Sequence, residues 1–209
     1  GMMVNLGLLA YFKYSGFFVE NLNFLLGAHI PVPAFALPIG ISFYTFQTIS
    51  YSVDVYRGTV KAQHNYMTFL LFVSLYHRLV AGPIVRYSEV AHEIGTETPT
   101  WQSMSEGISR FSVVMCKKVL VANYAGELVG QYLAGDLSGL SVSGAWFGIL
   151  MFSLQLYFDF SGYSDMALGL GRMFGCHYYE NFNYPYIAKS AVEFWRRWHI
   201  SLSSFFRDY

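Results

Sequence analysis

The residues best suited to chemistry lie in the last sixteen positions of this chain, 194–209, where one histidine stands among arginines and aromatic rings. The imidazole of His199 titrates near neutral pH, so it can accept a proton from a hydroxyl group and make that oxygen nucleophilic. A titratable side chain is costly in an apolar, membrane-like setting, and its presence there indicates a function. The segment therefore predicts that His199 acts as a general base.

Helical spacing predicts the surroundings of that imidazole. Trp195 and Ser203 lie four residues to either side of His199, on one face of a continuous helix, and Leu202 is three residues away. We expect Trp195 and Leu202 to hold the ring in a dry slot, with Trp198 beside it, and Ser203 to fix its tautomer. The alternative is a structural histidine that donates to a backbone carbonyl within a helix bundle.

Three arginines accompany the histidine. The guanidinium groups of Arg196, Arg197 and Arg207 are suited to bind the phosphates of a thioester donor or a carboxylated sugar chain. The alternative is that they anchor the helix at an interface, with Glu193 and Arg197 paired four residues apart. Ser190 and Glu193 have the spacing of a capping box, which predicts that this helix begins near Ser190.

Two aspartates lie within an apolar segment further upstream. Asp159 and Asp165 are six residues apart and fall on different sides of a regular helix, which argues against a paired-carboxylate site. We expect Ser161 and Gly162 to break that helix into a bend that lines a cavity. Asp159 is then bonded to the backbone or to a basic residue, and proton transfer is its alternative role.

A second group of charged residues flanks a predicted break in the helix at Gly82 and Pro83. His77, Arg78 and Arg86 either line a substrate path there or belong to a charged re-entrant loop. No two histidines have the spacing of zinc ligands, and the sequence contains no glycine-rich phosphate loop. We therefore expect no metal site and no tightly bound cofactor.

Composition indicates a membrane protein. Of the 209 residues, 54% are hydrophobic and 19% aromatic. Only 12% are charged, whereas a typical soluble domain carries about 25%. Thirteen basic and thirteen acidic side chains cancel, so no global charge favours nucleic acid as a partner.

Several apolar segments are candidates to cross a membrane, which takes about 20 residues. The clearest is 34–53, which carries no charge, although Pro38 and Gly40 predict a kink or a break within it. Residues 144–160 are a second strong candidate. Residues 2–26 are a weaker one, either a span or an interfacial helix.

Shorter apolar runs at 66–80, 104–133 and 166–173 add further helices. The chain is therefore predicted to be all-α, a polytopic membrane helix bundle with broken and re-entrant helices. About four to six helices would be embedded in the membrane. No repeat or interdomain linker is visible, so residues 1–209 are expected to belong to a single membrane domain.

Six blocks of sequence, taken in order, resemble the membrane-bound O-acyltransferase family. The blocks are LPIGISFYTFQ at 37–47, VDVYRG at 53–58, LVAGPIVRY at 79–87, KKVLVAN at 117–123, YFDFSGYSDMA at 157–167 and the segment 194–209. The resemblance covers essentially the whole chain and is strongest to the bacterial subgroup that O-acetylates alginate. It identifies the chain as a member, with a partial version of the family's helical fold.

The resemblance implies acetyl transfer to hydroxyls of an exported polysaccharide such as alginate, by a multi-pass protein of the bacterial inner membrane. It implies acetyl-CoA or another acyl thioester as donor, contact with membrane lipid, and a periplasmic acetyl-handling protein as partner. His199 corresponds to one of two histidines in the family pattern. Family members are longer at both ends, and the resemblance implies that the second histidine, which usually has the leading catalytic role, lies beyond the part that matches position 209. We therefore expect an incomplete domain.

Two other functions fit part of the pattern. Broken helices with intramembrane Asp and His also occur in transporters and channels, where buried charges serve permeation. The remaining alternative is that the chain is a non-catalytic fragment that docks a partner. The order of the six blocks favours the acyltransferase.

Overall fold

The computed structural model describes residues 2–33, 35–76, 82–93, 98–135 and 137–209, and every regular element in these ranges is helical. Helices satisfy their backbone hydrogen bonds within one segment, which is what an apolar environment requires. The all-α class predicted from the sequence is therefore confirmed for the described residues.

The N-terminal helix is long and has no residue buried within the protein. Helix α1 (Met2–Leu9), a π-helical turn (Ala10–Tyr14) and α2 (Ser15–Leu26) follow one another without a break. Over Met2–Leu26, these 25 residues form the one helix in the described part of the chain that is long and apolar enough to cross a membrane. The segment that the sequence presented as the weaker candidate is the one that meets this criterion.

Helix α3 (Ile41–Tyr56) is shorter than the 20-residue span expected over 34–53. Gly40 precedes it with left-handed backbone at φ 76°, and the backbone N–H of Ile41 donates to the Pro38 carbonyl at 3.2 Å. This turn starts the helix at Ile41. The break indicated by Pro38 and Gly40 is confirmed, and the helical part of this segment begins only after it.

Two polar side chains connect the N-terminal helix to α3. Asn5 Nδ2 donates to Thr48 Oγ1 at 3.0 Å, and Lys13 Nζ donates to Ser42 Oγ at 3.1 Å. These bonds give polar groups on an otherwise apolar helix a partner inside the protein, which lowers the cost of placing them among lipid chains.

A small aromatic core joins α3 to the next two helices, α4 (Tyr66–Ser74) and α5 (Tyr87–Val90). Phe72 of α4 is fully buried against Val85 and Tyr87. The Tyr87 ring also meets the Phe72 ring edge-on, with centroids 5.2 Å apart. This core includes Val85 of the segment 82–86, and α10 contacts the same segment through Ile84.

Helix α6 (Trp101–Lys117), a π-helical stretch (Lys118–Asn123) and α7 (Tyr124–Leu133) run as one helix that packs along α8 (Val142–Met173). Glycines permit the close approach. A Cβ at Gly107 would lie 2.6 Å from the Gly169 carbonyl oxygen, and one at Gly148 would lie 2.9 Å from Leu133. These two contacts, near opposite ends of the pair, show that the helices are antiparallel.

Helix α8 continues through Ser161 and Gly162, so the expected break there was wrong. The Ser161 hydroxyl donates to the Tyr157 carbonyl one turn back at 2.5 Å, which the helix accommodates. Gly162 faces Val114 and Lys118 of the neighbouring helix, with van der Waals room for a Cβ at 3.6 Å from each. The helix therefore runs through Gly162 without a break, and the packing there leaves room for a side-chain Cβ.

Two short helices close the described chain, α9 (Ala191–Arg197) and α10 (Ile200–Asp208). Ser190 caps α9 by accepting from the Glu193 backbone N–H at 3.1 Å, so the predicted helix start is confirmed. Phe205 of α10 is buried with Ile49 of α3 and with Ile84. This contact brings the C-terminal residues against α3 and the segment 82–86.

Candidate active site

His199 stands in a break between α9 and α10. Its backbone is left-handed, with φ 44° and ψ 58°, and Trp198 before it is extended. Left-handed backbone costs a residue other than glycine roughly 1–2 kcal/mol, so neighbouring contacts must hold it. The single continuous helix expected here was wrong, because Trp198 and His199 leave the helical conformation and redirect the chain.

Asn181, in the connector that follows α8, holds this break in place. Its backbone carbonyl accepts from the Ile200 N–H at 2.9 Å. Its side-chain Oδ1 accepts from the Ser201 N–H at 3.1 Å and from the Ser201 hydroxyl at 2.9 Å. The same oxygen lies 3.1 Å from Nδ1 of His199. Through its side-chain and backbone oxygens, the buried residue Asn181 therefore contacts three consecutive residues of the break.

These contacts determine the tautomer of the imidazole. The Ser201 backbone N–H can only donate, so it must face the amide oxygen of Asn181 and not the NH₂ group. A carbonyl oxygen only accepts, so Nδ1 of His199 carries the proton. The lone pair is then on Nε2, for which the described residues provide no hydrogen-bond partner.

The His199 ring lies in an aromatic environment and is 7% exposed. The Phe160 ring meets it edge-on at 5.0 Å, and the Phe182 ring stacks at 6.4 Å. Burial lowers the pKa of the His199 imidazole from 6.5 to about 4, since the charged form loses its hydration. The ring is therefore neutral at pH 7, with Nε2 able to accept a proton.

Ser201 is close to the imidazole but is not arranged as its nucleophile. Its Oγ lies 3.3 Å from Nδ1, yet that nitrogen already carries a proton and cannot take another from the hydroxyl. The hydroxyl donates to Asn181 and accepts from the Ile84 N–H at 3.0 Å. The geometry supports a base that acts through Nε2 on an external hydroxyl.

Of the expected neighbours of His199, Trp198 lies nearby and two others do not contact the ring. Trp198 is buried and stacks on Phe194 at 5.6 Å. Trp195 is 57% exposed, and the Ser203 hydroxyl donates to the Trp195 carbonyl at 2.8 Å. The roles expected for Trp195 and Ser203 at the ring were wrong, because they assumed an unbroken helix through His199.

The three arginines of the last segment differ in their ion pairs and in their exposure to solvent. Arg197 pairs with Glu193 at 2.9 Å, which confirms the predicted pair four residues apart. Arg196 is exposed. Arg207 is exposed and pairs with the adjacent Asp208 at 2.9 Å. Arg196 and Arg207 are therefore the two most accessible cations of the last segment.

Arg86 belongs to a charged cluster at the end of α10. Its guanidinium donates to Asp208 at 2.5 Å and lies over the Tyr209 ring at 5.3 Å. Arg57 donates to the Asp208 carbonyl at 2.8 Å, and the Tyr209 hydroxyl donates to buried Asp54 at 2.8 Å. The pKa of the Asp208 carboxyl is lowered to about 2, first by its hydrogen bond from Arg207 and next by its hydrogen bond from Arg86.

A cavity of about 250 Å³ lies beside this cluster. Ser201 and Ser204 of α10 line it, together with Arg86 and Arg207. The Ser201 hydroxyl thus contacts both the cavity and the Nδ1 side of His199. Three carboxylates also line the cavity, those of Glu89, Glu180 and Asp208.

Asp159 has the basic partner that the sequence predicted. Lys118 Nζ lies 3.1 Å from its carboxylate and joins α8 to the π-helical stretch. Asp165 pairs instead with Arg110, which also binds Glu180. The two aspartates therefore serve separate ion pairs. The predicted roles of His77 and Arg78 lie outside the described residues.

Sequence reasoning missed Asn181 and Ser201. Asn181 is 18 residues from His199, and no helical or strand spacing relates the two. Ser201 is two residues from the histidine, a separation that a helix places on a different face. The concentration of asparagines and aromatic rings in the connector was the available signal.

Comparison with known proteins gives the relationships of the chain. The sequence profile of MBOAT, the membrane-bound O-acyltransferase family, matches residues 59–209. The chain is 46% identical over its whole length to a probable alginate O-acetylase AlgI of Pseudomonas aeruginosa, of which it covers 41%. It is 34% identical, again over its whole length, to a peptidoglycan O-acetyltransferase of Helicobacter pylori, of which it covers 45%.

A more distant relative is a teichoic acid D-alanyltransferase of Bacillus subtilis, 29% identical over 82% of this chain and 44% of the relative. The chain thus spans less than half the length of the curated relatives it matches. The matched profile includes α4 to α10, and with them His199, Asn181 and the cavity. On this match over most of its length, the chain belongs to the membrane-bound O-acyltransferase family.

Proposed function

We propose that this chain is part of a bacterial membrane enzyme that transfers an acyl group, acetyl by preference, to hydroxyls of an exported polysaccharide. The observation that carries the proposal is the family match, which includes the whole His199 site. The relatives' names denote acyl transfer to alginate, peptidoglycan and teichoic acid. All three polymers carry hydroxyl groups, and the chain is 46% identical to the alginate enzyme, against 34% and 29% for the other two.

In the proposed reaction, Nε2 of His199 accepts the proton of an acceptor hydroxyl as that oxygen attacks the acyl carbonyl. The new ester bond forms and the bond between acyl carbon and sulfur breaks. The departing thiolate takes the proton from Nε2 and leaves as a thiol. The donor is acetyl-CoA or another acyl thioester, which acts as a substrate and not as a resident cofactor. Burial suits this step because a dry site strengthens the electrostatic interactions of the developing charge.

We assign supporting roles to the other candidate residues by their surroundings. Arg196 and Arg207 are exposed and can approach the phosphates of the donor or carboxylates of a uronic acid polymer. Trp198 encloses the base, and Trp195 is suited to the membrane interface. Ser203, Arg86 and Asp159 connect separate segments of the fold through contacts already described. Arg197 forms an ion pair within α9.

We further propose a polytopic arrangement in the inner membrane, within a single domain that includes all of 1–209. The Met2–Leu26 helix provides one crossing, and lipid surrounds its exposed apolar side chains. A polysaccharide acceptor and a periplasmic protein that handles acetyl groups would be the partners. A cytoplasmic thioester and an exported polymer lie on opposite sides of the membrane, so the acyl group must cross it.

Replacement of His199 tests the proposal in the intact gene product. We expect His199→Ala to lower ester formation on the polysaccharide by about 10²- to 10⁴-fold, the usual contribution of a positioned base. The measurement is the acetyl content of the purified polymer, with the protein quantified in the membrane fraction. Ser203→Ala is the matched control, since the Ser203 hydroxyl donates to the Trp195 carbonyl and not to the imidazole.

Wild-type acetylation by His199→Ala would refute the catalytic role. Reconstituted protein that moved a solute across vesicles without forming any ester would favour the transporter instead.

A further inference from the structure

The partner of the catalytic imidazole is an amide, where many enzymes use a carboxylate. Asn181 is 2% exposed, and its Oδ1 receives donors from His199 and Ser201. Such an oxygen accepts more hydrogen bonds than the usual two for a carbonyl, which fixes the amide strongly. The same residue bonds the backbone of α10 through its own carbonyl.

We infer that Asn181 is a positioning residue for acyl transfer, which holds His199 in the tautomer that leaves Nε2 free to act as the base. The inference rests on the proposed function of His199. Asn181 contacts neither reacting atom, so it acts through the imidazole. Its task is comparable to that of any group which orients a catalytic histidine from the far ring nitrogen.

Because the Asn181 side chain is neutral, it does not stabilise the positively charged form of the imidazole. The ring is faced by Phe160 from α8, by Phe182 from the connector and by Ser201 from α10. Several charged groups on α8 and the connector form ion pairs away from the ring. Asp159 pairs with Lys118, Asp165 and Glu180 pair with Arg110, and Arg172 pairs with Glu106. A negative charge placed at position 181 would therefore become the charge nearest to the ring.

Substitution by aspartate uses this geometry as a test. Asn181→Asp keeps an oxygen acceptor for all three donors, so the tautomer is retained, but it adds a negative charge beside Nδ1. That charge favours the imidazolium and raises the pKa of His199. We expect the acid limb of the pH–activity profile to move upward by one pH unit or more in this variant. Activity near pH 8 should stay within about threefold of the wild type.

Asn183→Asp is the matched control. Asn183 lies in the same connector and is exposed, and it contacts Arg197 through its backbone only. The same charge there should leave the profile unchanged. Asn181→Leu removes the acceptor altogether, and we expect it to lower the rate with little change in KM. An Asn181→Asp profile that coincides with the wild type would overturn the inference.

A spectroscopic measurement removes the dependence on variants that fail to fold. In wild-type protein labelled with ¹⁵N-histidine and reconstituted in bilayers, the His199 signal, assigned by its loss in His199→Gln, should show a protonated Nδ1 and a bare Nε2. The reverse tautomer would refute the inference while leaving a catalytic His199 intact. Full activity in His199→Ala would instead refute the proposed function, whatever the tautomer.

Discussion

At the scale of single residues, the protonation of His199 links activity to stability. Burial holds the pKa of its imidazole at about 4, against 6.5 for an exposed histidine. Between these values an unfolded chain binds a proton that the folded chain excludes. Stability from this residue is therefore complete above about pH 6.5, falls as the pH is lowered, and stops falling below about pH 4.

This linkage predicts a measurable loss of stability in mild acid. Each pKa unit is worth about 1.4 kcal/mol, so the full loss is roughly 3 kcal/mol or less, and about half of it is reached near pH 5. We expect the thermal unfolding midpoint of the detergent-solubilised protein to drop less in His199→Gln than in wild type between about pH 7.5 and pH 5. Equal drops in both proteins would show that the imidazole titrates normally.

At the scale of helices, the crossing of α6 and α8 depends on a glycine contact. A Cβ at Gly107 would meet the Gly169 carbonyl oxygen at 2.6 Å and the Met173 backbone N at 3.0 Å, so Gly107→Ala must push the helices apart. Overpacking of this kind costs about 1–3 kcal/mol. We expect a clear fall in thermal stability, measured by the temperature at which the purified protein aggregates.

Gly130→Ala in α7 provides the control, because nothing lies within 4 Å of its added Cβ. There the better helix propensity of alanine should stabilise the protein by roughly 0.5–1 kcal/mol. Equal effects of the two substitutions would contradict the close packing of α6 on α8.

The helices also show which features a sequence can predict. The α9 start at Ser190 and the turn at Gly40 depend on a few adjacent residues, so local rules predicted both. The break at His199 is held by Asn181, and the continuous helix through Gly162 packs against Val114 of a neighbouring helix. Both points involve contacts between distant residues, which the residue spacing could not show.

The candidate site also combines features that the sequence could predict with features that it could not. The pair of Glu193 with Arg197 was predicted from its spacing of four residues and is confirmed. The role of His199 as general base, which is based on residue type and family resemblance, remains a prediction. The neighbours of His199 were predicted from helical spacing alone. Since the helix ends at Arg197, that spacing placed Trp195 and Ser203 beside the ring and left Asn181 and Ser201 unnoticed.

At the scale of the whole molecule, the Met2–Leu26 helix predicts a topology. At 1.5 Å per residue it is about 37 Å long, enough to cross a hydrocarbon core of about 30 Å. In a variant without Cys116 and Cys176, we expect Met3→Cys and His29→Cys to react with a membrane-impermeant maleimide from opposite sides. Labelling of both from the same side of sealed vesicles would show that this helix lies along the interface.

The contacts that build the site join residues far apart in the chain, which has a consequence for the order of assembly. The bond from Ile84 to Ser201 spans 117 residues, and that from Tyr209 to Asp54 spans 155. Each bond can form only after both of its residues have left the ribosome. The surroundings proposed for His199 are thus assembled only when α10 docks on α3, after the last described helix has been synthesised.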